Sequence, residues 1–506
     1  VTTRNSNLTS GHLLASNVSW NLLGSCAPLL VAVFAVPLLI KGMGTDRFGI
    51  LTLVWVLIGY FGLFDFGLGR ALTKLVAENL GAGQDEEIPS LVWTSLFLMT
   101  ILGAVGSILL ILVSPWLVYS VLKIPESLRA EALCSFYWLS ASIPLVTSTA
   151  GLRGFLEAHQ KFGLVNAARI PFGVFTFAGP LVVLPFTRSL ASMAAVLVVG
   201  RAGVWIAYLL FCLRMAPHLR SVPAITRPAI AQLVRFGMWM TISNVASPLM
   251  VYLDRFVIGA MISVAAVAYY ATPYEVVGRL LVIPGAVAGV LFPAFSTGFV
   301  QDRNRIVALL DRGTKYVFLA LFPIILIVVT LAHEGLGIWL GSEFARQSAP
   351  VLQLLALGVL LNALAQIPFA QVQAAGRPDL MAKLHLAELP LYLFALWRLI
   401  SAYGIAGAAI AWAARVGVDM ALLFVFSWRL LRESAKVMRR TAVTVGAALA
   451  VLGLAAFPAA LSSRIAFLLV ALAGFAVAAW FVVLTPEERA TIRHRLRLYE
   501  VPRYGD

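Results

Sequence analysis

Apolar residues in this chain come in long unbroken runs rather than in alternation or amphipathic stripes, and the runs return about every 30 positions with short polar breaks between them. Each run suits a membrane-crossing α-helix, which needs about 20 mostly apolar residues to span about 30 Å of hydrocarbon. The pattern predicts about 14 spans, at roughly 13–40, 48–77, 89–120, 131–157, 162–186, 190–214, 231–260, 264–299, 314–340, 348–374, 379–400, 404–430, 441–461 and 465–484. The expected fold is therefore all-α and polytopic. Pro28, Pro144, Pro248, Pro284, Pro293, Pro323 and Pro368 interrupt these runs, each weakening its helix locally and freeing a carbonyl. The run from 235 to 300 also carries Asp254, Arg255, Glu275 and Arg279, charges that need a polar interior because lipid-facing positions do not tolerate them.

Composition sharpens this picture. With 61% hydrophobic residues, 12% charged residues and a mean hydropathy of +0.92, a soluble globular domain is excluded. The first apolar stretch, 18–40, is too long for a cleaved leader and is read as a retained span. Cys26, Cys134 and Cys212 stand apart without paired or ligand spacing, so no disulfide framework and no metal site is expected. The six histidines are scattered and no P-loop occurs, so no cofactor is expected and ATP hydrolysis is disfavoured. The net charge of +15 is not a nucleic-acid footprint, because roughly two thirds of the Lys and Arg residues fall in alternate short loops and at the ends. With an even span count, that bias places both termini in the cytoplasm and makes anionic inner-leaflet lipids partners of the loops and of the tail stripe Arg489, Arg493, Arg497.

An internal repeat organises the spans. Pro28 pairs with Pro248; LEAHQKFG from Leu156 pairs with VQAAGRPD from Val372; GRAGVWIAYL from Gly200 pairs with ARVGVDMALL from Ala414, setting Arg201 against Arg415. Six spans per repeat give both halves the same orientation, hence parallel lobes around an axis along the membrane normal. The expected domains are a lobe at 1–222, a second lobe at 223–436, two additional helices at 437–485 and a basic cytoplasmic tail at 486–506.

GTDRFGILTLVWVLIGYFGLFDFGLGRALTK around the second span, VAYYATPYEVVGRLLVIPGAVAGVLFPAFS in the eighth and AAGRPDLMAKLHLAELPLYL after the tenth are similar to the O-antigen and polysaccharide repeat-unit flippases, the Wzx-like branch of the multidrug/oligosaccharidyl-lipid/polysaccharide exporter superfamily. The resemblance implies a bacterial inner-membrane transporter with two six-helix lobes around a central cavity. It implies alternating access, with a lipid-diphosphate-linked oligosaccharide as cargo and a polysaccharide polymerase and chain-length machinery as partners. Spans 13 and 14 resemble those of the related lipid II flippases. A drug/cation antiporter of the same superfamily is the nearest rival, and mid-membrane arginines have the wrong sign for its cargo. A membrane glycosyltransferase or polymerase would need a large outer loop, whereas the longest outer connection is roughly a dozen residues.

Individual residues carry their own chemistry. Arg201 and Arg415 fall near the middle of their spans, where a guanidinium needs water or an anion, and a diphosphate supplies one that its fork can grip. Arg415 has Asp419 one turn on as an alternative partner, whereas Arg201 has no acid at i+3 or i+4. Arg279, Arg70 and Arg153 are further cargo candidates, the last paired with Glu157 near the cytoplasmic mouth. Glu275, four residues before Arg279, is a candidate to exchange a proton or hold Na⁺; Asp65, Asp254 with Arg255, Asp419 and Glu157 are ion-coupling or gating candidates, against the plainer alternative of fixed structural pairs.

Overall fold

The computed structural model describes residues 27–490 apart from 29, 62–66, 160, 221–224, 232, 234–249, 251, 302, 456 and 459. Asp65, Pro248, Cys26 and the tail beyond 490 lie outside the described residues. Every regular element among the described residues is helical, as a chain in hydrocarbon requires if each backbone N–H and C=O is to be satisfied within its own segment. Nine helices among them are long and apolar enough to cross a membrane.

The chain divides into two compact units, Val1–Ala271 and Thr272–Asp506. The first holds α1 (Leu30–Met43), α2 (Thr45–Phe61), α3 (Leu68–Ala82), α4 (Ile88–Trp116), α5 (Glu126–Ala158), α6 (Phe162–Val183), α7 (Leu190–Met215) and α8 (252–261). Helix α9 (Val264–Gly278) runs across the division. The second unit continues with α10 (Val282–Gln301), α11 (Arg303–Thr330), α12 (Ala332–Leu340), α13 (Ser342–Ala374), α14 (Pro378–Leu430), α15 (Ala435–Leu454) and α16 (Leu461–Ala478).

Within the first unit, α4 shows how a helix that is apolar all round chooses its faces. Ile101, Val105, Ile108 and Leu112 form an exposed stripe at helical spacing, which suits acyl chains, while Met99, Gly103, Gly106 and Leu110 are buried. The buried side is small-residue packing: a Cβ at Gly103 would lie 2.6 Å from Pro144 Cα on α5, so only glycine lets the helices meet there. Polar contacts reinforce it, with the Thr147 hydroxyl donating to Met99 O at 2.9 Å and the Ser107 hydroxyl to Ser140 O at 2.7 Å. Helix α2 approaches the start of α9 just as closely, since a Cβ at Gly49 would fall 1.8 Å from Val264 O.

Several spans bend or break where the sequence reads as continuous. The stretch 48–77 is two helices, the second opening on Gly67 with φ 74°. The stretch 264–299 stays helical but tightens into a 3₁₀ turn at Arg279–Leu281, where α9 passes into α10 just ahead of Pro284. Helix α14 folds back at Gly404, whose φ 58° and ψ −138° are open essentially to glycine alone, and this is where two spans were expected to part. Gly407 then passes so near the first arm that a Cβ would sit 2.0 Å from Leu399 O.

In the second unit, α13 is the central helix, buried along most of its length and packed by α10, α11, α12 and α14. Gly358 of α13 makes room for Trp412 of α14, since a Cβ there would lie only 2.3 Å from the indole edge. Trp412 is fully buried and meets Tyr274 of α9 edge-on at 5.4 Å. That fixes the second arm of α14 one turn before Arg415. Helix α16 docks on α11 through Phe475, whose ring lies 5.0 Å from Phe322 and 6.1 Å from Phe318.

Candidate functional site

Arg201 lies about 17 Å along α7, a helix about 39 Å long at 1.5 Å per residue, and so stands near its middle. Two neighbours on α6 place it. Gly200 accommodates Phe175, whose ring a Cβ would meet at 2.5 Å, and the Arg201 guanidinium then stacks on Phe172 at 4.3 Å from the ring centroid. Its Nε is buried without a hydrogen-bond partner among the described residues. An aromatic face on one side and no carboxylate among its described contacts leaves the fork oriented yet able to take an oxyanion.

The second charged group sits in the α14 hairpin. Folding back at Gly404 brings Glu388 of the first arm within 3.6 Å of Arg415 on the second, with Tyr392 beneath the guanidinium at 5.5 Å. Arg415 thus reaches across the hairpin for a carboxylate as well as having Asp419 along its own helix, and both acids feel its charge. The sequence reading missed Glu388. A lone acid inside LAELPLYL, two residues before Pro390, was the available signal.

Other expected residues fall into separate groups. Asp254 and Arg255 are both fully buried on α8; Arg255 Nη1 lies 3.2 Å from Asp254 Oδ1, and the Tyr270 hydroxyl donates to Asp254 Oδ2 at 2.5 Å, tying α8 to α9. Glu275 and Arg279 pair at 3.2 Å along α9 and its terminal turn, with Glu275 exposed. Arg153 and Glu157 pair at 3.4 Å on α5, and Arg70 is exposed near the start of α3. No group of metal-ligating side chains occurs among the described residues.

The additional helices are clamped to the rest of the second unit at both ends. At one end Arg464 meets Glu334 at 2.7 Å; at the other Arg440 meets Asp311 at 3.4 Å and Lys315 meets Glu488 at 2.6 Å. Glu488 also closes a capping box: the Thr485 N–H donates to its carboxylate at 2.9 Å and its own N–H donates to the Thr485 hydroxyl at 3.3 Å. Burial pushes the Glu488 carboxyl up, but the hydrogen bonds from Lys315, Tyr316 and Thr485 outweigh it and hold the pKa down to about 2. A depressed carboxylate stabilises the fold above its unfolded value of 4.5 and loses that contribution as pH falls toward about 2. Glu488→Gln should therefore lower stability at neutral pH by about 2 kcal/mol, through loss of charge-assisted hydrogen bonds. Thermal unfolding of the detergent-solubilised protein checks this, and equal midpoints for variant and wild type would refute the clamp.

The described spans thus form a helical bundle that carries charged side chains inside membrane-length helices. Residues 14–299 match the family model described as polysaccharide biosynthesis protein. A protein of Shigella flexneri named "Putative O-antigen transporter" is 31% identical over 410 residues, covering 81% of this chain and 96% of that one. The chain belongs to this polysaccharide biosynthesis family. Among solved structures, an inward-facing multidrug resistance MATE family transporter matches with a TM-score of 0.68 at 13% identity, covering 82% of this chain and 99% of that one. The lipid II flippase MurJ, in an inward closed conformation, matches with a TM-score of 0.67 at 13% identity, covering 95% of this chain and 100% of that one. These two likenesses show the fold.

Proposed function

We propose that this protein is a flippase that carries an undecaprenyl-diphosphate-linked oligosaccharide repeat unit from the cytoplasmic to the periplasmic leaflet by alternating access, for O-antigen, capsule or exopolysaccharide assembly. Arg201 carries the reading: a cation in the middle of an apolar helix, stacked on Phe172 and with no described carboxylate, calls for an anion that crosses the membrane. The name borne by the Shigella relative supports the cargo class. In this reading 1–222 and 223–436 act as the two lobes, Arg415 is the counterpart of Arg201 in the second, and Arg279, Arg70 and Arg153 are lesser contacts. Both termini face the cytoplasm, where the tail and loops meet anionic lipid, and the polymerase and chain-length machinery receive the product.

The multidrug transporters of the same fold suggest a rival cargo, organic cations, which a mid-membrane arginine repels. Deletion followed by lipid analysis separates the two. The flippase reading expects undecaprenyl-diphosphate oligosaccharide to accumulate on the cytoplasmic leaflet; drug hypersensitivity without that lipid would refute it.

A further inference from the structure

The α14 hairpin sets a buried carboxylate, Glu388, and a half-buried one, Asp419, near one guanidinium. Glu388 is 7% exposed, its two oxygens have no hydrogen-bond partner, and its only described ion contact is Arg415 at 3.6 Å, longer than a well-formed charge-assisted bond. Asp419 Oδ1 is likewise buried without a hydrogen bond. With both acids ionised the group carries a net charge of −1 inside a membrane helix pair, the state that burial penalises most and that a proton on either carboxylate removes. A structural ion pair would show the opposite features: one acid per cation, with the remaining lone pairs satisfied.

We propose that Glu388 and Asp419 together bind one exchangeable proton, and that this proton decides whether Arg415 is held by the hairpin or released to a phosphate of the cargo. The proton comes from water and adds to a carboxylate oxygen, taking the group from −1 to neutral and loosening the claim on Arg415. Its departure restores two anions, which draw the guanidinium back and expel the diphosphate. The second half of this proposal rests on the flippase reading; the proton site does not.

The neighbouring charges leave this assignment to the hairpin. On the same arm His385 is the other titratable group near Arg415, and Tyr392 lies under the guanidinium. Helix α13 contributes Glu343 and Arg346, exposed and paired with each other at 2.7 Å near its start, and its buried Gln371 accepts from the Ser427 hydroxyl at 2.6 Å. Helix α9, which touches the hairpin through Tyr274, has Glu275 paired with Arg279. Beyond the hairpin, Arg432 stacks on Trp428, with Glu433 beside it; on α15 Lys436 and Arg439 stand in the first turns, and Arg440 meets Asp311.

Infrared difference spectroscopy of the purified full chain in lipid nanodiscs, titrated with acid, tests the proton site directly. A protonated-carboxyl band that grows as pH falls, and is lost in Glu388→Gln or Asp419→Asn but kept in His385→Gln, is expected. Absence of the band, its survival in both acid variants, or a site filled by Na⁺ with no such band would overturn it. Binding of undecaprenyl diphosphate to the same preparation tests the release of Arg415. One linked proton predicts affinity falling about tenfold per pH unit above the titration, with the slope flattened in Glu388→Gln. A pH-independent affinity overturns the exchange. A band without any diphosphate binding refutes the cargo reading and leaves the proton site standing.

Discussion

Arg201→Ala is expected to abolish repeat-unit export while the protein remains inserted in normal amount. The guanidinium makes no described ion pair that the fold would miss, and its apolar contact is one face of Phe172. Its loss should therefore act on cargo and not on packing. A charge-assisted bidentate contact to phosphate in a water-poor site contributes about 3 kcal/mol, so export should fall about a hundredfold. Arg201→Lys keeps the charge but loses the planar fork and the stacking geometry, and should retain part of the activity. Surface polysaccharide and membrane protein level, measured together, decide this. Normal export by a stably inserted alanine variant would assign Arg201 to structure.

Asp254→Ala should produce the largest loss of stability among single substitutions at the charged positions. Asp254 and Arg255 are both fully buried on α8, and Asp254 takes bonds from the Arg255 side chain, from its backbone N–H at 2.7 Å and from Tyr270. Breaking a buried ion pair by removing one partner costs about 3–5 kcal/mol. Asp254→Asn should cost less, because the amide oxygen can still accept from Tyr270. Tyr270→Phe removes only the hydroxyl contact and should cost about 1–2 kcal/mol. Thermal unfolding of the purified variants ranks them; an alanine variant as stable as wild type would mean that the pair contributes nothing to holding α8 against α9.

The legible part of this structure was what hydropathy and glycine chemistry control. Long apolar runs pointed to the helical, polytopic class, and the turn at Gly404 fell where two spans were expected to part, because only glycine takes that backbone conformation there. The i, i+4 pairs Glu275–Arg279 and Arg153–Glu157 formed because helix geometry alone brings such residues together. What hydropathy could not give were contacts between chain segments far apart. Glu388 meets Arg415 only because α14 doubles back, and Lys315 meets Glu488 only because α16 docks on α11. The need of Asp254 and Arg255 for a polar interior was legible, but the Tyr270 hydroxyl that arrives from the next helix was not, for the same reason. The break at Gly67 falls inside an apolar run long enough to read as one span, so hydropathy alone did not mark it.

Translocation by the purified protein in vesicles tests the central assignment most directly. Proteoliposomes carrying a fluorescent undecaprenyl-diphosphate-linked glycan on one leaflet are probed with a membrane-impermeant reagent that destroys only glycan on the other. The wild-type chain should expose the glycan well above protein-free vesicles, and Arg201→Ala should not. Glycan exposure no greater than in protein-free vesicles, together with transport of an organic cation by the same preparation, would contradict the flippase assignment.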